Sequence, residues 1–262
     1  MLSKSDPKYE KLIHYLVNLG DAAIAFSGGV DSTFLLMAAH EALGNKVLAI
    51  TVRTPYIPEW EINEARDFSA KLGVKHLIIE IPLENEILNN PENRCYLCKR
   101  IIFKKLRDAA AREGFINLLD GTNSDDSEEN RPGMKALREL NILSPLKENG
   151  FNKKDIRNYS RINNLPTWDK PAYACLLTRI PYNSRVDNDM LKKIEKAEKF
   201  LIDLGIKAVR VRIHGDLARI ETEPILIKKI FEENLFKLIS KQLKDFGFRY
   251  VTLDLEGYRE NV

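Results

Sequence analysis

The sequence predicts an α/β fold, a doubly wound parallel sheet followed by a smaller C-terminal α+β domain. In the first two thirds of the chain, short apolar runs alternate with segments of helical pattern, as repeated β-α units require. Near residue 185 the order changes to helix, strand, strand, helix and strand. We therefore expect one domain over residues 1–184 and a second over residues 185–262.

The strands of the first domain are predicted from continuous apolar runs, which suit strands buried on both faces of a parallel sheet. These runs are Asp21–Phe26, Lys46–Val52, Lys75–Ile81 and Phe115–Asp120, with a fifth strand predicted at Ile142–Leu146. Helical segments alternate with them, at about Ser32–Leu43, Glu59–Leu72, Cys95–Arg112 and Lys153–Asn163. Right-handed crossovers between such units give a doubly wound sheet.

The second domain follows a connecting segment at about 165–184 that contains three prolines. Its predicted elements are a helix at Asp187–Leu204, strands at Lys207–His214 and Leu217–Glu223, a helix at Pro224–Asp245 and a strand at Tyr250–Leu255. Gly215-Asp216 separates the first two strands, which predicts an antiparallel hairpin.

Composition narrows the class of protein. The N-terminal residues contain no apolar run typical of a signal peptide, and we expect a soluble, cytoplasmic protein. The 41 basic and 38 acidic residues nearly balance, which argues against binding that relies on attraction to a nucleic-acid backbone. Three cysteines, an odd number, fit a reducing compartment and a metal or catalytic role better than a disulfide framework.

The most specific motif is the loop Ser27-Gly28-Gly29-Val30-Asp31-Ser32, between a predicted strand and a predicted helix. Two glycines allow close approach to a ligand, and the exposed N–H groups at the helix start form an anion site. Ser27 and Ser32 can add hydroxyl donors, and Asp31 can hold Mg²⁺ or cap the helix. The alternative is a simple glycine turn whose following helix is capped by Asp31.

A second polar loop follows the strand that ends at Asp120, and reads Gly121-Thr122-Asn123-Ser124-Asp125-Asp126 with Arg131-Pro132-Gly133 after it. Its position at the carboxyl end of a strand favours ligand contact, so Gly121 and Thr122 are assigned to the nucleotide site. Thr51, in the predicted strand 46–52, is assigned to the same site. A surface loop with an Asx turn is the alternative.

The cysteines leave several interpretations open. Cys95 and Cys98 share one face of a predicted helix, and Cys175 lies in the proline-containing segment. Three cysteines do not complete a four-ligand zinc site, whereas three thiolates with one open position fit an iron–sulfur cluster. A redox Cys-x-x-Cys and unrelated buried cysteines are the alternatives.

Strand alternation places Arg210, Arg212 and His214 on one face, with Arg219 on the paired strand. This face is either solvated or a site for phosphate, whose geometry matches the guanidinium group. Arg179, four residues after Cys175, is the basic residue nearest to it in the following sequence.

The Ser27–Ser32 string resembles the PP-loop of the ATP pyrophosphatase superfamily. Together with GTNSDD, LPTWDKPAYACLLTRIPY and VRVRIHGDLARIE, it makes nearly the whole chain resemble the LarE family of ATP-dependent sulfur transferases. The resemblance implies an adenine-nucleotide-hydrolase-like first domain. It also implies that ATP and Mg²⁺ adenylylate the carboxylate of a pyridinium mononucleotide, which sulfur then converts to a thiocarboxylate during synthesis of the nickel-pincer nucleotide.

The resemblance assigns the remaining roles. Family members with a lone cysteine give up its sulfur, whereas those with an added Cys-x-x-Cys bind a 4Fe–4S cluster. This chain resembles the second group, with Cys95, Cys98 and Cys175 as ligands and with Cys175 and Asp31 as catalytic residues. Arg179, Arg210 and Arg212 are assigned to the substrate phosphate. The expected partners are the mononucleotide, a sulfide donor and further copies of the chain, with no membrane or nucleic acid.

Three other functions remain possible at this point. A tRNA-thiolating PP-loop enzyme predicts a basic appendage, but residues 185–262 carry 16 basic and 14 acidic residues. An amide-forming enzyme related to NAD synthetases has no need of three cysteines. A non-catalytic nucleotide sensor can keep the loop without the chemistry. A single-turnover transferase that sacrifices the sulfur of Cys175 is the alternative within the family.

Overall fold

The computed structural model describes residues 6–127, 133–232 and 234–258. The chain forms two compact units: unit 1 comprises Met1–Pro82 and Asn93–Lys170, and unit 2 comprises Leu83–Glu92 and Pro171–Val262. The functional division expected after residue 184 stays a prediction. In these described ranges, no helix is both long enough and apolar enough to cross a membrane.

Unit 1 contains, in its described part, a four-stranded parallel sheet in the order β3-β2-β1-β4. The strands are β1 (Ala22–Ala25), β2 (Val47–Arg53), β3 (Lys75–Glu80) and β4 (Leu118–Leu119). The helices are α1 (Pro7–Leu19), α2 (Val30–Leu43), α3 (Glu59–Leu72), α4 (Arg94–Arg112), α5 (Met134–Glu139), α6 (Pro145–Glu148) and α7 (Lys153–Ile162). The predicted α/β fold class is confirmed.

The sheet of unit 1 is covered on both faces. Ile24 and Ala49 belong to a core that includes residues of α1, α2 and α7. Ala23 and Leu48, one position away in each strand, belong to a second core with residues of α4 and α5. Because successive strand residues point to opposite faces, burial on both sides requires the continuous apolar runs seen in the sequence.

The strand order creates a crevice at one edge of this sheet. The chain passes from β1 outward to β2 and β3, and β4 lies on the other side of β1. The loops after β1 and β4 therefore lie next to each other at the carboxyl edge, the usual place for ligands in open α/β sheets.

The structure corrects the prediction of a fifth strand at Ile142–Leu146. Leu143 forms only an isolated parallel bridge with Leu119. Pro145, which has no N–H to donate to a sheet, begins α6 instead. Helix α1, whose first turn is capped by Asp6, was not predicted from the sequence.

Unit 2 contains α8 (Asn188–Asp203), β5 (Val209–His214), β6 (Leu217–Thr222), α9 (Pro224–Glu232), α10 (Leu235–Asp245) and β7 (Tyr250–Leu253). β5 and β6 pair antiparallel and β7 pairs parallel to β6. His214 lies opposite Leu217, which confirms the hairpin at Gly215-Asp216. The single helix predicted at 224–245 is two helices, because Asn234 has left-handed backbone dihedrals, with φ +53°.

A short segment between β3 and α4 belongs to unit 2. The Asn90 side-chain amide donates hydrogen bonds to the carbonyls of Ile180 (2.9 Å) and Pro181 (3.0 Å). The Val186 N–H donates to the Leu88 carbonyl at 2.8 Å. These contacts fix the segment that follows Cys175.

Candidate active site

The Ser27–Ser32 loop connects β1 to α2 and has the backbone of an anion cradle. Gly28 has φ +70°, and a Cβ there would lie 3.2 Å from the Cβ of Ala65, so glycine meets both a conformational and a steric demand. The Ser27 and Ser32 hydroxyls are 3.1 Å apart, and the Gly29 N–H donates to Ser27 Oγ at 3.3 Å. Both predicted hydroxyls thus face the loop.

The start of α2 shows whether Asp31 caps this helix. Gly29 is the N-cap residue, and no side chain caps this helix. Asp31 lies in the first turn, where its carboxylate forms an ion pair with the Lys153 ammonium. Asp31 therefore does not cap the helix, and its role as a ligand of Mg²⁺, which prefers carboxylate oxygens, stays a prediction.

The second loop contacts the first one. A Cβ on Gly121 would lie 3.0 Å from the Ser32 nitrogen and 3.3 Å from Asp31 Cβ, so only glycine lets the two loops approach this closely. Thr122 is buried and donates a hydrogen bond to the Asp120 carboxylate. The structure therefore brings Gly121 next to the Ser27–Ser32 loop, and places Thr122 one residue further along.

The remainder of this loop contains the Asx turn that was considered as an alternative. The Asp125 N–H donates to Asn123 Oδ1 at 2.9 Å, while Asn123 itself is fully buried. Arg131 and Pro132 lie outside the described residues, and Gly133 begins α5 as its N-cap residue. In this loop Thr122, Asn123 and Asp126 are buried, whereas Ser124 and Asp125 are exposed.

Two lysines near the loop were missed by the sequence analysis. Lys153, in the first turn of α7, pairs with Asp31. Lys170 donates a hydrogen bond to the Gly28 carbonyl at 3.1 Å and forms an ion pair with Glu64 at 2.6 Å. Both place a positive charge against the cradle, as a site for a polyphosphate requires.

Thr51 reaches the loop through a main-chain carbonyl. Its hydroxyl donates to the Phe26 carbonyl at 2.7 Å and is in hydrogen-bond contact with His76 Nε2, also at 2.7 Å. His76 Nδ1 lies 2.8 Å from Ser69 Oγ. Burial, with a smaller contribution from Arg66, lowers the pKa of His76 to about 4. The nucleotide contact predicted for Thr51 stays a prediction.

Cys95 and Cys98 lie in the first two turns of α4, and Cys95 is exposed. Cys98 Sγ is 3.3 Å from the hydroxyl of Tyr56, whose side chain is only 2% exposed. None of the three cysteines forms a disulfide. Within the described ranges, no three His, Cys, Asp or Glu side chains gather closely enough to hold a metal ion. Cluster binding by Cys95, Cys98 and Cys175 therefore stays a prediction.

Cys175 precedes a 3-10 turn at Leu176–Arg179 in unit 2. The Thr178 hydroxyl donates to the Cys175 carbonyl at 2.9 Å, and Arg179 donates to Thr178 Oγ1 at 2.6 Å. Arg179 forms a bidentate pair with Glu198 at 2.7 and 3.2 Å, and both side chains are 1% exposed. The Val211 N–H donates to the same carboxylate at 2.8 Å. This buried pair ties the Cys175 turn to α8 and β5.

The β5 arginines also contact groups of the protein. Arg210 is buried and stacks over the Tyr258 ring, 4.3 Å from its centroid. Arg212 pairs with Glu221 at 2.5 Å and donates to the Thr178 carbonyl at 2.7 Å. Phosphate binding by Arg179, Arg210 and Arg212 stays a prediction, and the burial of Arg179 in a bidentate pair counts against a direct contact for that residue.

His214 and Arg219 complete this face of the hairpin. Arg219 forms ion pairs with Glu221 at 3.0 Å and with Asp254 at 3.3 Å. Burial lowers the pKa of His214, and the charges of Arg219 and Arg212 lower it further. Carboxylates thus balance much of the positive charge on the predicted phosphate face.

Comparison with known proteins gives three extensive similarities. The chain is 35% identical to pyridinium-3,5-bisthiocarboxylic acid mononucleotide synthase of Lactiplantibacillus plantarum, over 96% of this chain and 92% of that protein. It is 38% identical to an uncharacterized protein of Synechocystis sp. (97% and 96% covered) and 39% identical to one of Methanocaldococcus jannaschii (90% and 90%). A sequence profile of the family described as queuosine biosynthesis protein QueC matches residues 21–95.

Proposed function

Since the chain belongs to the LarE family and is an ATP-dependent sulfurtransferase of the PP-loop superfamily, we propose that it acts on a pyridinium dicarboxylate mononucleotide in the cytoplasm. ATP adenylylates a carboxylate of this substrate and releases pyrophosphate. Sulfur then displaces AMP and leaves a thiocarboxylate for the nickel-pincer nucleotide. The product named for the relative from Lactiplantibacillus plantarum, a bisthiocarboxylic acid mononucleotide, supports this substrate class.

The close approach of Gly121 to the first turn of α2 is the main structural support for ATP binding at this site. Two loops from adjacent strands form one cradle at the switch point of the sheet, and the N–H groups at the start of α2 favour an anion. A polyphosphate bound there lies beside the hydroxyls of Ser27 and Ser32. In such a site, positioning and charge stabilisation supply most of the catalysis.

The charged residues of the cradle have distinct tasks in this mechanism. Asp31 would supply a carboxylate ligand to Mg²⁺, and the bound metal would supply positive charge to the phosphates and to the leaving pyrophosphate. Lys153 and Lys170 lie within reach of the same loop. Their ammonium groups compensate phosphate charge while the substrate carboxylate attacks the α-phosphorus.

For the sulfur step, we propose Cys95, Cys98 and Cys175 as ligands of a 4Fe–4S cluster. The donor set fits, because all three residues are thiols outside disulfides and none is fully buried. A bound cluster with one iron free of protein ligands supplies a position for sulfide. Sacrifice of the Cys175 sulfur is the alternative.

We propose that Arg210 and Arg212 contact the substrate phosphate. Arg212 and Arg219 share the Glu221 carboxylate. If a substrate phosphate replaces Glu221 as the partner of Arg212, Arg219 still pairs with Glu221, so both arginines keep a negatively charged partner. Further proposed partners are a sulfide donor and additional copies of this chain. Exposed apolar side chains of α9 and α10, such as Phe231 and Phe236, support self-association, which light scattering of the purified protein measures.

A pyrophosphate-release assay tests the activity. We expect release that depends on the carboxylated pyridinium mononucleotide, and none that depends on unmodified tRNA. Release with tRNA alone would replace our proposal with a tRNA-thiolating function, and the absence of release with both substrates would leave the chain as a nucleotide sensor.

Iron analysis tests the sulfur route separately. Anaerobically purified protein should be brown and contain about four irons per chain, and Cys95→Ser should lose this iron. A colourless protein whose Cys175 becomes about 34 Da lighter during one turnover, through the loss of H₂S, would establish the sacrificial route instead.

A further inference from the structure

We propose that His76 positions the PP-loop by holding its proton on Nε2, from where it directs the Thr51 hydroxyl to the Phe26 carbonyl. His76 is a positioning residue in this scheme, since it acts through Thr51 and not on ATP itself. The inference concerns the ATP loop alone and is independent of the sulfur route.

A chain of side-chain contacts connects the strands with α3. Thr51 Oγ1 lies 2.7 Å from both the Phe26 carbonyl and His76 Nε2. On the other side of the imidazole ring, Nδ1 lies 2.8 Å from Ser69 Oγ, which in turn lies 2.9 Å from the Ala65 carbonyl. His76 therefore joins β2 and β3 to α3.

Both ends of this series of side-chain contacts lie against the PP-loop. Phe26 immediately precedes Ser27, the first residue of the loop. Ala65 is the neighbour against which Gly28 packs, 3.2 Å from the position of a Gly28 Cβ. A change in the middle of the chain is thus transmitted to two points of the loop.

A proton count shows that the contacts compete. Ser69 Oγ also lies 3.0 Å from the Arg66 carbonyl, so the group has five contacts. Each hydroxyl carries one proton and a neutral imidazole carries one on nitrogen, which gives only three protons for these five contacts. With the proton on Nε2, His76 donates to Thr51, which donates to Phe26, and Ser69 donates to Nδ1. With the proton on Nδ1, Thr51 must donate to Nε2, and the Phe26 carbonyl loses its hydroxyl donor.

The main chain decides which arrangement is favoured. Ala65 lies inside α3, where its carbonyl accepts a helical N–H, so it does not need the Ser69 proton. Phe26 immediately follows β1; its N–H still donates to the Ile50 carbonyl of β2 at 2.9 Å, and the Thr51 hydroxyl is the donor to the Phe26 carbonyl. Because a buried carbonyl without a donor costs free energy, the Nε2–H form is favoured. Burial lowers the pKa of His76 to about 4, which keeps the ring neutral near pH 7.

Two substitutions of His76 distinguish the roles of its two ring nitrogens. In His76→Gln the side-chain amide reaches the position of Nε2 and can still donate to Thr51. In His76→Asn the shorter amide reaches only the position of Nδ1. We expect His76→Asn and Thr51→Val to weaken ATP binding about fivefold, the value of one hydrogen bond, and His76→Gln to stay within about twofold. The double variant Thr51→Val/His76→Asn should be no weaker than Thr51→Val alone, since both changes remove one connected contact.

Titration calorimetry with Mg²⁺·ATP, well below each variant's unfolding temperature, measures these affinities. His14→Asn, at an exposed position of α1, is the control for a histidine change. Nitrogen-15 NMR of labelled histidines reports the protonated ring nitrogen in the unsubstituted protein, with the His76 signal identified by its loss in His76→Gln. An Nδ1–H ring, additive effects in the double variant, or equal ATP affinity in His76→Asn and the unsubstituted protein would each overturn the proposal.

Discussion

The Lys153 ammonium is paired with the Asp31 carboxylate, across 122 residues of sequence. The pair joins α7 to the first turn of α2, where the phosphate cradle begins. When Mg²⁺·ATP binds, the Asp31 carboxylate can exchange its contact with Lys153 for one with the metal, and the Lys153 ammonium can pair with a phosphate oxygen. Each charged group then keeps a partner of opposite charge. Two predictions follow from this exchange.

Asp31→Asn should lower pyrophosphate release by more than about a hundredfold, because a neutral amide binds Mg²⁺ poorly and leaves phosphate charge uncompensated. Initial rates at several Mg²⁺ concentrations measure the effect. Asp169→Asn, at an exposed position of unit 1, is the control and should keep its activity. An Asp31→Asn enzyme with an unchanged rate would exclude the metal role.

Lys153→Met should weaken ATP binding about tenfold, since a charged hydrogen bond to phosphate is lost. The neighbouring Lys154 is exposed, so Lys154→Met is a matched control at the adjacent position and should bind ATP normally. Calorimetric titration compares the two variants. Equal affinities would show that Lys153 serves only the ion pair with Asp31.

Lys170→Met should weaken ATP binding about fivefold, because the Gly28 carbonyl loses its 3.1 Å hydrogen bond and the loop loses a nearby charge. Glu64→Gln removes only the exposed partner of Lys170 and should change the affinity by less than twofold, as is typical of surface ion pairs. A larger effect of Glu64→Gln than of Lys170→Met would mean that the ion pair, and not the carbonyl contact, holds the loop.

Arg179→Met should destabilise unit 2 by about 3–5 kcal/mol, because it leaves the Glu198 carboxylate buried and unpaired. The double variant Arg179→Met/Glu198→Gln should regain part of this loss, because the neutral amide removes the unpaired buried charge and its oxygen can still accept the Val211 N–H. Urea unfolding measures both. Lys199→Met, which removes an exposed helical pair with Asp203, is the control. An unchanged midpoint for Arg179→Met, with a raised KM for the mononucleotide, would restore the phosphate role of Arg179.

The lowered pKa of His76 predicts how the free energy of unfolding depends on pH. Its pKa is about 4 in the folded protein and about 6.5 in an unfolded chain, so the unfolded state binds more protons between these values. The stabilisation that comes from neutral His76 is therefore fully present above about pH 6.5 and is lost as the pH falls towards 4. Thermal unfolding followed by circular dichroism should show a decline in this window that is smaller in His76→Gln. Parallel declines in the two proteins would assign the pH dependence to other groups.

The fold was predictable where a local pattern has a single structural solution. The apolar runs ending at Phe26 and Val52 require a doubly covered sheet, and Gly215-Asp216 between two alternating segments requires a hairpin. The run at Ile142–Leu146 has the same appearance, but the next residues after Leu143 include Pro145, which begins a helix. At Asn234 the helical pattern continues through a left-handed residue, because side-chain periodicity does not register a backbone turn.

The site was predictable only in part, for a related reason. The PP-loop is a contiguous motif, and each of its residues follows from the geometry of one turn. Lys170 and His76 reach this loop from distant parts of the sequence, and neither belongs to a recognisable local pattern. Their proximity to the loop is visible only in the tertiary contacts of the folded protein. For Arg210 the strand alternation indicated a face correctly, but it could not indicate that Tyr258 covers the guanidinium group.

The segment Leu83–Glu92 makes unit 2 discontinuous along the chain. No single cleavage of the polypeptide can release either unit as one contiguous fragment. During synthesis, Asn90 leaves the ribosome long before Ile180 and Pro181, its hydrogen-bond acceptors, have been added. Unit 2 therefore completes its folding only after the polypeptide of unit 1 has been synthesised.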